Sequence, residues 1–105
     1  MFRKEKIATQ IGQLAAEFLH HRIKGTLITV TRVDISDDGG YAVVLCTLFP
    51  DTHQEDMLKS LQRDVREFRH ILAKTMRVKH IPSVRFGIDI GEENRRVVEE
   101  LLKKT

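Results

Sequence analysis

The chain has no tryptophan, one tyrosine, one cysteine and two prolines. With aromatics at only 6% of residues, five phenylalanines and the aliphatic side chains must fill the core. A single cysteine, Cys46, excludes an internal disulfide. It lies in the apolar run Tyr41 to Phe49, which predicts a buried, small hydrophobic side chain and a reducing compartment. No stretch approaches the roughly 18 apolar residues of a membrane span. The N-terminus carries charge but lacks the apolar core of a secretory signal. A cytoplasmic protein with no membrane partner is expected.

What is present fits one domain spanning residues 1–105, with no repeat, linker or low-complexity segment. Lysine and arginine number 18 against 15 acids, for a net charge of +3 and a pI near 9.2. That balance is mild overall and strong locally. Between Arg63 and His80 the basic residues are Arg63, Arg66, Arg69, Lys74, Arg77 and Lys79, against Asp64 and Glu67 alone. Concentrated positive charge on one element of a small domain suits a phosphate backbone.

The pattern of apolar residues gives the elements. Ile7, Ile11, Leu14, Ala15 and Phe18 recur at spacings of three and four, predicting a helix over Arg3–Ile23 that Gly25 stops. Leu27 to Ser36 is β-branched, and its apolar parity changes between Val30 and Val33, as a bulge would require. Asp37-Asp38-Gly39-Gly40 is a turn, and Tyr41 to Phe49 is the second strand of a hairpin. After Pro50, Asp51 or Thr52 can cap a helix, with Thr52 and Glu55 at capping-box spacing. That helix is expected to run to Val78, burying Leu58, Leu61, Val65, Phe68, Leu72 and Met76. At about 100° per residue, Arg63, Arg66, His70, Lys74 and Arg77 fall on its opposite face.

Ser83 to Ile90 alternates, with Val84, Phe86, Ile88 and Ile90 on one side and Arg85, Gly87 and Asp89 on the other. Glu92 to Lys104 reads as a last helix, with acids at its start and lysines at its end. The order α-β-β-α-β-α predicts an α+β fold, a three-stranded sheet with helices packed on one face.

Several segments together resemble ribosome-binding factor A, a family of bacterial ribosome-assembly factors. They are Leu19-His-His-Arg-Ile-Lys24, the hairpin Ile28 to Ser36 with Tyr41 to Leu45, Leu61-Gln62, Arg69 to Val78, and Ile81 to Phe86 followed by Asp89. The combination Leu-x-Lys-x-Met-Arg, a short gap, then Pro-x-x-x-Phe-x-x-Asp is the most specific part. The resemblance implies a type II KH-like domain without enzymatic activity. It also implies binding to the small ribosomal subunit and its ribosomal RNA during late maturation and rRNA processing, and a link to cold adaptation. The family's long helix is typically kinked at a small-x-Gly motif. Asp64-Val65-Arg66 stands at that position, with neither the small residue nor the glycine, so a milder bend or a straight helix is expected. A charged C-terminal extension found in some relatives is absent from this sequence.

Candidate RNA-binding residues are therefore Arg63, Arg66, Arg69, Lys74, Arg77, Lys79 and Lys4. Arg63, Arg66, Lys74 and Arg77 share the face opposite the core, Arg69 is more lateral, and Lys79 and Arg85 depend on the turn into the third strand. Glu67 would moderate this face or pair with Arg63, four residues earlier. Arg3, Lys4 and Lys6 read equally as a second contact cluster or as an ordinary charged terminus. Arg22 and Lys24 suit the end of a helix dipole. Five histidines show no ligand spacing, and no catalytic constellation is present, so no metal, cofactor, small-molecule substrate or catalytic residue is expected. The alternative reading is a KH-like protein-interaction module, free to dimerise where a monomer is otherwise expected, whose basic helix is only a solvated face.

Overall fold

A computed structural model describes residues 2–50, 53–91, 98–100 and 102. Helix α1 spans Phe2–Arg22, strand β1 Leu27–Ile35, strand β2 Tyr41–Phe49, helix α2 Gln54–Arg63, helix α3 Val65–Thr75 and strand β3 Ser83–Ile88. The strands form one sheet in the order β1-β2-β3. β1 and β2 are the expected antiparallel hairpin, and the α2–α3 crossover brings β3 back parallel to β2. The register slips between Val30 and Arg32, so the predicted bulge is present. The hairpin turn is held by Asp38, whose carboxylate accepts the Gly40 N–H (2.9 Å) and the Ser36 hydroxyl (2.8 Å). Those two bonds hold the Asp38 carboxyl below its ordinary range.

The core lies between the sheet and the three helices. Ile11, Ala15, Phe18 and Leu19 of α1, Leu61 of α2, and Phe68 and Leu72 of α3 meet Ala42, Val44 and Cys46 of β2 and Val84 and Phe86 of β3. Cys46 is buried as expected, and burial, followed by the nearby Asp89 charge, pushes its thiol up to about 12. Because side chains alternate along a strand, Val43 and Leu45 face the other way. They are buried against Val98, with Leu102 beside them. So α1, α2 and α3 cover one face as expected, but helical residues 98–100 lie on the opposite one, which corrects the expectation that all the helices share a face: the outward-facing Val43 and Leu45 are apolar and need cover of their own. Gly87, opposite Leu45 in register, is buried there too, consistent with close packing at a residue that lacks a side chain. The rest of the expected last helix, residues 92–97, 101, 103 and 104, lies outside the described residues.

Three features of the long helix bear on what was expected: an interruption that favours the bend alternative, and two ends that depart from the predicted ones. It is interrupted at Asp64 (φ −88°, ψ −3°), which excludes the straight alternative. That conformation is open to any L-residue, so no glycine is needed. The Asp64 N–H is shared between the carbonyls of Ser60 (3.3 Å) and Leu61 (3.1 Å), and its own carbonyl accepts the Phe68 N–H (3.1 Å). The helix is therefore interrupted with its local hydrogen bonds made. Second, α3 ends at Thr75 rather than Val78, because Met76 turns extended (φ −87°, ψ 141°) while its side chain stays buried. Third, α2 starts from His53 in a left-handed conformation (φ 62°) without a side-chain cap; the expected caps, Asp51 and Thr52, lie outside the described residues. β3 also stops early, at Ile88, where Asp89 accepts the Gly91 N–H (2.9 Å) in a turn.

Candidate nucleic-acid interface

The apolar side of α2 and α3 fixes what the other side presents. Leu61, Phe68 and Leu72 are fully buried. At about 100° per residue, the line diametrically opposite carries Lys59, Arg63, Arg66, His70 and Lys74, at successive spacings of four, three, four and four. All five are exposed. Among the described residues, Lys59, Arg63, Arg66 and Lys74 make no ion pair. The line starts beside the acidic first turn of α2, Glu55 and Asp56, and is basic from Lys59 onward. Lys59 is not among the residues singled out from the sequence, although its spacing from Arg63 is readable there.

Both flanks of this stripe are tied to neighbouring elements. On the α1 side, Arg22 pairs with Asp64 (Nη1 to Oδ1, 3.5 Å) and with Glu67. Glu67 thus pairs with Arg22 and not with Arg63, which corrects that expectation. Contacts between α1 and α3 run antiparallel, since Arg22 meets Glu67 and Phe18 meets Phe68 (ring centroids 5.3 Å apart). On the β3 side, the Gln62 amide donates to the Phe86 carbonyl (3.0 Å) and accepts the Phe86 N–H (3.4 Å). This satisfies both backbone groups of Phe86 on the free edge of β3 and holds α2 to it.

Arg69 is part of the same fastening. Its Nε donates to the Pro82 carbonyl (3.2 Å) and its Nη2 to the Ile81 carbonyl (3.2 Å). These two oxygens stand in the loop before β3, outside any ladder, and the guanidinium fork meets both. The structure therefore gives Arg69 a structural engagement and sets it off the stripe. Arg69→Ala is expected to lower stability by about 1–3 kcal/mol, since charged hydrogen bonds to part-buried carbonyls disappear. Chemical denaturation of the variant measures this; an unchanged midpoint would return Arg69 to the free cations.

The remaining sequence-predicted residues are spread more widely. Arg77 and Lys79 are exposed, but they sit past the end of α3, so helical phase does not place them. Lys4 stands on the first turn of α1, outside the stripe, paired with Asp37 at 3.4 Å. Among the described residues no three of His, Cys, Asp and Glu group as metal ligands would, and no helix is long and apolar enough to cross a membrane.

The family profile of ribosome-binding factor A matches residues 3–102. The chain belongs to the ribosome-binding factor A family. A ribosome-binding factor A of Natranaerobius thermophilus is 29% identical over 97% of this chain and 81% of its own length. The crystal structure of ribosome-binding factor A from Thermus thermophilus superposes with a TM-score of 0.72 at 26% identity, covering 81% of this chain and 93% of that one. A homology model of the Thermus thermophilus factor, fitted into a cryo-EM map of its complex with the 30S subunit, is similar at a TM-score of 0.64 and 28% identity, over 74% of this chain and 86% of that one. These likenesses confirm the family and the α+β fold.

Proposed function

We propose that this chain is a non-enzymatic assembly factor that binds the small ribosomal subunit, through its ribosomal RNA, late in maturation. One observation carries the reading. Lys59, Arg63, Arg66 and Lys74 form a single exposed line of cations, without ion pairs among the described residues, and the two acids flanking it are engaged by Arg22. Arg77, Lys79 and Lys4 add peripheral charge. Such side chains grip phosphate and ribose, so they position the protein rather than read sequence. Occupancy would hold a conformation of the immature subunit and delay translation components. The relative fitted into a 30S complex supports the choice of partner. A lysate sedimented through sucrose at low salt should place the protein in small-subunit fractions, and its deletion should slow precursor rRNA processing. Absence from those fractions with normal processing would refute the proposal.

A second reading has its own observation. Leu27 and Phe49 are cross-strand partners at the open end of the hairpin, 65% and 73% exposed. An exposed apolar pair suits a protein contact. Self-association that ignores salt, without affinity for small subunits, would favour an interaction module over the RNA reading.

A further inference from the structure

The two acids beside the basic stripe share one counter-ion, and it comes from another element. Arg22 lies in the last turn of α1. Its guanidinium reaches Asp64 at 3.5 Å and Glu67, and lies 5.0 Å from the centroid of the Phe18 ring. Phe18 in turn packs on Phe68. A planar cation with separate donor nitrogens can serve two carboxylates and a ring face at once, which a lysine ammonium cannot do in the same way. The residue it holds, Asp64, is the one at which α2 gives way to α3.

We infer that Arg22 is a positioning residue for the basic stripe: it engages the carboxylates of Asp64 and Glu67, leaving Arg63 and Arg66 free to meet phosphate. The inference rests on the RNA-binding reading above. Without Arg22, two carboxylates would stand beside the phosphate track. Glu67 would also lie four residues from Arg63 on the helix surface, where it can capture that guanidinium. Either event reduces the positive charge offered to RNA. The pairs are partly exposed, with side-chain exposures of 32% for Arg22, 23% for Asp64 and 58% for Glu67. Ion pairs of that kind contribute little to stability. The effect of Arg22 should therefore appear in binding and its salt dependence.

Four full-length proteins test this against purified small ribosomal subunits over a range of potassium chloride: the wild type, Arg22→Gln, the double variant Asp64→Asn/Glu67→Gln, and the triple variant. Arg22→Gln should bind about tenfold more weakly at low salt, with a shallower salt slope. The double variant should bind as tightly as the wild type or more so. The triple should match the double within about twofold, because no carboxylate remains to be engaged. If Arg22→Gln binds like the wild type, the inference is wrong while the RNA reading stands. If the triple stays as weak as Arg22→Gln, Arg22 is itself a contact and the positioning role is wrong. If Arg22→Gln does not fold, equality of double and triple still supports the role, and weaker binding by the triple still contradicts it. If the wild type does not bind at all, the RNA reading fails and the role of Arg22 falls with it.

Discussion

Reversing charge at Arg63, Arg66 and Lys74 together, each to Glu, is expected to weaken small-subunit binding by about 100-fold or more at low salt. The figure follows from roughly 1 kcal/mol for each phosphate interaction removed, with each 1.4 kcal/mol worth tenfold. The salt slope should fall by about three as well, one for each cation that no longer displaces a counterion. Folding should hardly change, because all three side chains are exposed and without ion-pair partners among the described residues. Competition binding at two salt concentrations, with a melting curve for each protein, checks both halves. Unaltered affinity in a folded triple variant would place the RNA contact on another surface.

Phe68→Ala is expected to do the reverse, costing about 3–5 kcal/mol of stability. Phe68 is fully buried, and its ring meets Phe18 of α1 at 5.3 Å and Phe86 of β3 at 5.7 Å. One side chain thus joins α1, α3 and the sheet. In a chain without tryptophan, few other residues could fill the void left by its removal. Set against the roughly 5–15 kcal/mol that keeps a small domain folded, that loss should lower the melting temperature by about 15 °C or more. Phe68→Leu, which keeps more of the volume, should cost less. Urea denaturation followed by circular dichroism measures both; a stability change under about 1 kcal/mol for Phe68→Ala would deny this residue its central place in the core.

The contrast between these variants follows from how the helix pair is built, and it shows what the sequence could and could not convey. Periodicity exposed the buried side, Leu61, Phe68 and Leu72, and with it the opposite basic line. Parity within β1 located the bulge beside Thr31, and alternation in β3 sorted Val84 and Phe86 inward. These features are local, because a spacing of 3.6 or 2 is written in consecutive residues. The break at Asp64 is not. Its conformation demands no special residue, and the group that meets its carboxylate, Arg22, belongs to a helix some 40 positions earlier. The end of α3 escaped for a similar reason. Met76 continues the apolar period and remains buried, so the pattern runs on after the backbone has left the helix.

Arg69 shows the same limit at the candidate site. By charge it belongs with Arg66 and Lys74. What sets it apart is a pair of carbonyls at Ile81 and Pro82, brought beside it by the turn into β3. Gln62 likewise reads as a polar surface residue until the edge of β3 comes alongside. Lys59 is the opposite case: its place on the line is present in the spacing, but the richer Arg63–His80 stretch obscures it. The break at Asp64 uses ordinary backbone geometry, and its carboxylate meets Arg22 of α1.

The central claim is that an exposed line of cations on α2 and α3 grips ribosomal RNA. The most direct test is the affinity of the wild-type protein for purified small subunits as monovalent salt rises. About four to six phosphate contacts predict that log K falls linearly with log salt, with a slope of about −3 to −5. Tight binding with a flat salt dependence would contradict the claim.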